Sequence, residues 1–433
     1  MQLESNTSMK QPGAALPPKT AALLSVIPGL GQFANRRYVK GFIFLALAAS
    51  FAIALLPWIG DGIVGLVTLG DTPEVDDSRT LLVEGILTVI VLVILAGLHA
   101  LNMMDAYHDA GKRARGAFQP SVRTSFQDSW ERGFPYFIVI PTFIMLAMIV
   151  IFPLVFMVCM AFTNYNLYNS PPAHLLDWVG FANFKALFTE SVWTTSLLSV
   201  LGWTVVWTLV ATTLQIALAF FLAVMVNDAR VKGKKAIRTV FILPWAVPSF
   251  MTVLVFAAMF NDTFGTINLD IMSLFGTSIP WLTDPTWSRV AIILIQIWLG
   301  FPYVFTLFTG VLQSISKDWY EAADVDGGTR WNKLRHITFP HMMYATAPLL
   351  IMQYSYNFNN FNIIYLFNKG GPPVPGQNSG ATDILISWVY SLTFKENNYM
   401  MAAAISILMG LIVAAFALYQ FRRTRSFKEE GVY

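Results

Sequence analysis

Tyr320 to Pro340 reads YEAADVDGGTRWNKLRHITFP, and the fold follows from what lies on either side of it. It is the most polar long interval in the second half of the chain. It separates two strongly apolar runs, 290–311 and 342–367. Asp318 and Glu321 have the D-x-x-E spacing of a capping box, which predicts a helix from Asp318 to Asp326. Gly327-Gly328 stops that helix and turns the chain. Trp331 to His336 reads as a second short helix, ended before Pro340. Arg330, Lys333 and Arg335 lie on this helix-turn-helix. Two readings stand at this point: an amphipathic connector at the lipid headgroups, or a loop with a task beyond connection.

Of 433 residues, 55% are hydrophobic and 12% charged. A soluble domain carries roughly 25% charged residues, so the composition points to a membrane. The single cysteine, Cys159, leaves no intrachain disulfide and no multi-cysteine zinc site. It sits in an apolar run and reads as a small core residue. The first 20 residues lack the charged-then-apolar layout of a signal peptide, so no cleavage is expected.

Residues 1–19 read as disordered. Thr20 to Lys40 is an interrupted amphipathic stretch, broken at Pro28-Gly29 and ending in Arg36, Arg37 and Lys40; it is expected to lie at the interface. Eight apolar runs follow, near 41–59, 81–101, 136–162, 196–226, 238–260, 289–313, 341–367 and 399–421. Each is long enough to cross about 30 Å of hydrocarbon as a helix. With the N-terminus inside, 23 of the 28 Lys and Arg fall on inner segments. Only Arg79, Lys185, Arg289, Lys369 and Lys395 fall outside. By the positive-inside rule both chain ends are cytoplasmic, and so is 320–340. The outer stretch NKGGPPVPGQN, Asn368 to Asn378, is expected to be an irregular surface loop.

Several chemistries are excluded. There is no G-x-x-x-x-G-K-[ST], so the chain should not hydrolyse ATP itself. No His, Cys or Glu cluster has metal spacing, so neither a metal nor a catalytic residue is assigned. The last five apolar runs contain no Asp, Glu, Lys or Arg between their polar ends. A proton- or sodium-coupled carrier needs such a group near the midplane, so the driving energy must come from elsewhere.

What these runs do contain is amides and rings. In the seventh, Gln353, Asn357 and Asn360 fall on one helix face. An unpaired amide in hydrocarbon is costly, so they face protein or a water-filled cavity; interhelical bonding is the plainer alternative. Gln296, Gly300 and Tyr303 share a face of the sixth run, where Pro302 can kink the helix. The fifth is broken around Pro244, Trp245, Pro248 and Ser249, and discontinuous helices of this kind line substrate pathways. Amides with aromatic faces and no fixed charge suit a neutral polyhydroxylated ligand.

Two resemblances sharpen this. Glu321, Ala322, Ala323, Gly327, Ile337 and Pro340 match the EAA loop of the membrane subunits of binding-protein-dependent ABC importers, with Phe339 for the usual Leu and Gly328 for the usual Ala. In that family the loop docks into a cleft on the ATPase subunit. The runs LPWAVPSF (Leu243–Phe250), WLGFPY (Trp298–Tyr303), YNFNNF (Tyr356–Phe361) and NKGGP (Asn368–Pro372) resemble the MalF-type permease subunits of maltose and maltodextrin importers. The likeness runs from about residue 130 to the C-terminus, without the large extracytoplasmic domain of the enterobacterial form. It implies sugar contacts at Trp245, Ser249, Gln296, Gly300, Tyr303, Gln353, Asn357 and Asn360. Trp245, Gln296 and Gln353 depart from the family's usual Tyr, Asn and Ser. It implies ATPase coupling through Glu321, Ala322, Ala323, Asp326, Gly327 and Pro340.

The expectation is therefore an all-α polytopic membrane protein with eight transmembrane helices and the type I ABC importer permease fold. Its segments would be 1–40 (cytoplasmic and interfacial), 41–135 (two extra helices and a basic loop), 136–421 (a six-helix permease core with the coupling loop 318–340) and 422–433 (a cytoplasmic tail). The implied partners are a MalG-like second permease subunit, two ATP-binding-cassette ATPases, an extracellular sugar-binding protein and membrane lipid, with no nucleic acid and no cofactor of its own. The cargo is an oligosaccharide, maltodextrin first and a galactan-type fragment second. A proton-coupled sugar carrier and a membrane scaffold are the rivals.

Overall fold

Helices account for every regular element among the described residues; in place of strands there are two isolated bridges, Thr163 with Trp178 and Pro373 with Gly380. The computed structural model describes residues 16–115, 122–228 and 230–423. Most of the stretch expected to be disordered, and nearly all of the expected tail, lie outside them. The chain divides into two compact units, Met1–Trp178 and Val179–Tyr433.

The first unit holds α1 (Pro18–Leu24), α2 (Leu30–Ala34), α3 (Tyr38–Thr68), α4 (Ser78–Ala114), α5 (Val122–Leu146) and α6 (Phe152–Met160). The break expected at Pro28-Gly29 is there. Gly29 has φ +87° and packs so closely on α3 that a Cβ would meet the Gly41 carbonyl oxygen at 2.2 Å. The amphipathic stretch ends earlier than expected, because Tyr38 and Lys40 already belong to α3. Polar bonds hold α1 and α2 to α4. Gln32 donates to the Asn102 carbonyl (3.0 Å), Asn35 to the Ala106 carbonyl (2.9 Å), and Asn102 to the Ser25 carbonyl (2.9 Å). Lys40 bridges Asp105 and Asp109 at 2.6 and 3.3 Å.

The second unit comprises α7 (Ala182–Thr189), α8 (Ser191–Asn227), α9 (Lys234–Ala246), α10 (Ser249–Met259), α11 (Pro285–Ser314), α12 (Lys317–Val325), α13 (Arg330–Lys333), α14 (Phe339–Phe358), α15 (Phe361–Asn368), α16 (Leu385–Phe394) and α17 (Tyr399–Arg423). Its centre is α8 packed along α11. Two apolar clusters stack along this pair: one around Trp207, Ile292 and Ile295, the other around Ala219, Phe305 and Phe308. Between the two clusters α8 carries Gln215 and α11 carries Gln296.

Six helices among the described residues are long and apolar enough to cross a membrane: α3, α4, Gly133–Met160, α8, α11 and Tyr399–Leu418. The pair α9–α10, bent by 87°, makes a seventh if counted as one span. The remaining expected span, the seventh run at 341–367, is not one apolar helix. It breaks at Asn359-Asn360 into α14 and α15, and prolines and amides dilute its apolar character. The multi-pass all-α architecture stands; the count of eight is not reproduced by length and composition alone.

Candidate functional site

The break between α9 and α10 is written in two prolines. Pro248 bars the α conformation to the residue before it, and Val247 is extended (φ −93°, ψ 133°). The chain turns there, and its loosened backbone borders a cavity of about 520 Å³. Trp245, Ser249, Gln296, Gly300, Tyr303, Gln353 and Asn360 all line this cavity. Seven of the eight residues expected at a ligand site thus converge from five helices or helix breaks. The Trp245 and Tyr303 rings meet edge to face, centroids 6.0 Å apart. Tyr356 and Asn362, not singled out in the sequence, also face the cavity.

Asn357 is the exception. The helix ends at Phe358, so Asn357 and Asn360 do not share the face that one continuous helix would give them. Asn357 is fully buried and turns onto α8, donating to Thr212 Oγ1 (2.8 Å), while its carbonyl accepts from the Trp207 indole (2.9 Å). Its side chain still reaches the site indirectly, because Asn360 donates to Asn357 Oδ1 at 3.4 Å.

The amides form a head-to-tail relay. Asn360 donates to Gln296 Oε1 (3.0 Å), Gln296 to Gln215 Oε1 (2.8 Å), and Gln215 to Gln353 Oε1 (3.2 Å). Each internal amide uses both its donor and its acceptor, as a buried polar group must. At the ends, Asn360 Oδ1 and Gln353 Nε2 have no partner among the described residues. One is an acceptor and the other a donor, and both belong to cavity-lining side chains. Gly300 is set by the same relay, since a Cβ there would stand 1.9 Å from Gln215 Oε1. The glycine makes room for a neighbouring side chain at the cavity's edge. Pro302 does not break α11, which runs on to Ser314.

The polar stretch 317–338 forms a helical hairpin. Its first helix starts one residue earlier than the capping-box reading requires. Ser316 is the N-cap, accepting from the Asp318 amide at 3.2 Å, and Asp318 lies in the first turn. Glu321 is therefore no capping-box residue; it is exposed and has no side-chain partner among the described residues. The C-terminus is a Schellman turn: the Gly328 amide bonds the Ala323 carbonyl (2.7 Å) and the Gly327 amide the Asp324 carbonyl (3.1 Å). Gly327 has φ +72°, as the turn requires. Lys333 pairs with Asp324 across the hairpin, and the Tyr320 hydroxyl meets Thr338 Oγ1 at 2.9 Å.

The second helix does not end before Pro340. After Lys333 the chain passes through a wide π turn, Leu334–Thr338, directly into α14. The wide turn lies just upstream of Pro340, whose ring would crowd the His336 carbonyl in a regular helix. The same device precedes Pro153, where Ala147–Ile151 is also a π turn.

The model of the binding-protein-dependent transport system inner membrane component family matches residues 215–426. Over 414 residues the chain is 49% identical to the galactooligosaccharides transport system permease protein GanP of Bacillus subtilis (strain 168), covering 95% of this chain and 99% of that one. The chain belongs to this family of membrane components. The maltodextrin transport system permease protein MdxF of the same organism is 44% identical, over 96% of this chain and 97% of MdxF. Among solved structures, a bacterial ABC transporter involved in the import of the acidic polysaccharide alginate superposes with a TM-score of 0.57 at 23% identity. It covers 70% of this chain and 99% of that one, and shows the fold.

In this membrane component the residue that the sequence analysis missed is Gln215, the centre of the relay. A lone amide inside a 37-residue apolar helix is itself a signal, because hydrocarbon offers it no partner. Thr212, one turn away, is the partner of Asn357. Neither side chain lines the cavity; Gln215 holds Gln296 and Gln353, which do, and Thr212 holds Asn357, which touches Asn360.

Proposed function

We propose that the protein is the MalF-like permease subunit of an ATP-driven importer and carries a neutral oligosaccharide through the cavity bounded by Trp245, Tyr303, Gln296, Gln353 and Asn360. The observation that carries this reading is the cavity's chemistry: the Trp245 and Tyr303 rings in its lining, a free amide acceptor and a free amide donor, and no ionised lining residue. Rings cover the apolar face of a pyranose, and the relay ends bond its hydroxyls. Asn357 acts from behind, on Asn360, and Gly300 leaves room for Gln215. GanP and MdxF carry galactooligosaccharides and maltodextrin by their names, and both cargoes are neutral. The higher identity to GanP favours the galactooligosaccharide class, while the sequence motifs first pointed to maltodextrin.

Because the chain has no P-loop, ATP is bound and hydrolysed by two separate ATPase subunits. A MalG-like subunit completes the pathway and an extracellular binding protein delivers the sugar. Six helices from about 136 onward form the core, after two extra N-terminal helices. Both chain ends are cytoplasmic, which the 23-to-5 distribution of Lys and Arg supports. The hairpin then faces the ATPase, with Glu321, Ala322, Ala323, Asp326, Gly327 and Pro340 as coupling positions.

The test is uptake of labelled galactotriose and maltotriose into sealed vesicles holding the full complex. Uptake should require ATP and resist a protonophore. Asn360→Ala and Tyr303→Ala should abolish it while the complex still assembles. Uptake driven by a proton gradient alone would favour a lone carrier, and wild-type uptake in both variants would leave the amides as interhelical bonds only.

A further inference from the structure

A second cavity, of about 710 Å³, lies behind the hairpin, between it and the ends of α8 and α11. None of the residues matching the coupling motif lines it, so it is not the proposed ATPase-docking surface. Four cationic side chains reach it from three elements: Arg230 after α8, Lys317 on α12, and Arg330 and Lys333 on α13. Asp228 is the only carboxylate in the lining. It is already engaged, accepting from Arg230 Nε and Nη2 at 2.9 and 2.8 Å, and Lys333 is paired with Asp324. Lys317 and Arg330 have no ion-pair partner among the described residues. Val224, Leu312 and Leu334 supply an apolar part of the lining.

Arg330 also acts on the Asp228 carboxylate, but four cations against that single carboxylate leave the concave space with a positive potential that an anion relieves. The guanidinium of Arg330 suits the paired oxygens of a phosphate, and Lys317 adds a point charge. We propose that this cavity binds a phosphate-bearing anion, supplied either by a phospholipid headgroup or by a soluble phosphorylated solute. Basic pockets between helices at the membrane surface take anionic headgroups, and the apolar part of the lining gives a lipid's glycerol end a place to rest. The bound phosphate ties α12 and α13 to the chain after α8. It thereby holds the hairpin in one position relative to the transmembrane helices. Occupancy is then a control on how far the hairpin can swing, whatever the cargo.

The experiment uses the full-length chain purified in detergent. Native mass spectrometry counts retained phosphatidylglycerol against phosphatidylcholine, and equilibrium dialysis measures binding of radiolabelled orthophosphate. Lys317→Gln with Arg330→Gln should weaken the phosphorylated probe by roughly tenfold. Lys317→Arg with Arg330→Lys should restore most of it, and Asp228→Asn should strengthen it. A selective loss of phosphatidylglycerol identifies the lipid as the source; a loss of orthophosphate binding without lipid selectivity identifies a soluble one. If the double Gln variant holds both probes as the wild type does, the cavity is no anion site and the proposal fails.

Discussion

The cavity and the hairpin lie in one unit and are built in opposite ways. Around the cavity every polar group is neutral, and the buried ones are wired to one another: Asn360, Gln296, Gln215 and Gln353 in series, Asn357 braced on Thr212. The hairpin has Asp, Glu, Lys and Arg, most of them exposed, with one ion pair and one hydroxyl contact between its helices. The difference teaches where each region expects its partners. In hydrocarbon a charge is too costly, so specificity must come from amides that satisfy themselves before a ligand arrives. At the water surface unsatisfied charges cost little, and a second protein can supply what is missing.

The sharpest way to break the contrast is to cut the relay at its hidden centre. Gln215→Leu leaves Gln296 Nε2 and Gln353 Oε1 without partners, at roughly 1–3 kcal/mol for each orphaned group. We expect a clear drop in the melting temperature of the purified protein together with loss of uptake. A variant that melts like wild type would mean that the amides find water instead.

Next in size is the hairpin's turn. Gly327→Val places a β-branched residue at φ +72°, at roughly 1–2 kcal/mol, with open space around the new side chain. Because no packing is lost, melting should fall only by what that backbone strain costs, while stimulation of ATP hydrolysis by loaded binding protein disappears. Glu321→Ala should also uncouple, again without a fold defect, since Glu321 caps nothing. Normal stimulation in both variants would make the hairpin a connector.

A finer division separates two neighbouring asparagines. Asn360→Ala removes the acceptor at the end of the relay and also orphans Gln296 Oε1, so it should stop uptake altogether at a stability cost of about 1 kcal/mol or somewhat more. Asn357→Ala orphans Thr212 and should cost stability, about 1 kcal/mol or somewhat more, with uptake reduced rather than lost. Uptake, measured beside melting, distinguishes the two; identical behaviour would return them to one face of one helix.

The smallest effect concerns the loop between α15 and α16. Burial pushes the Asp383 carboxyl up, against the lowering effect of bonds from the Gly380 amide (2.8 Å) and Ser387 Oγ (2.7 Å). A raised folded value means that its contribution is full below the ordinary carboxylate range and is lost as pH rises through the raised value. Melting should therefore decline slightly as pH rises above the ordinary carboxylate range, and Asp383→Asn should flatten that slope. A slope that persists in the Asn variant belongs to another group.

Much of both regions was legible, for local reasons. Pro244 and Pro248 announce a broken helix because proline acts on its immediate neighbours, and Gly327-Gly328 announces a turn for the same kind of reason. Ring and amide types within the apolar runs drew attention to Trp245, Gln296, Tyr303, Gln353 and Asn360, and the family resemblance added Ser249 and Gly300 to complete the seven cavity residues. What could not be read depended on distant contacts. The end of α14 at Phe358, which turns Asn357 away, involves Trp207, 150 positions earlier in the chain. Gln215 is conspicuous only once Gln296 and Gln353 are seen beside it. Ser316 displaced Asp318 as the cap because both offer a suitable oxygen and the spacing of Glu321 favoured the wrong one.

The passage from α13 through the wide turn into α14 has a mechanical meaning. From Arg330 to Phe358 the chain is 29 residues of unbroken helix, a beam of about 43 Å. One end carries Trp331 on the hairpin, and the other carries Gln353 and Asn357. No loop lies between them, although the wide turn and Pro348 interrupt the regular ladder, so a tilt imposed at the hairpin is carried along the helix. Each degree moves the far end by about 0.7 Å for a beam of this length. Two degrees exceed the slack of a hydrogen bond such as Gln215 to Gln353, and a very small rocking motion at the water surface is enough to undo the relay's last link.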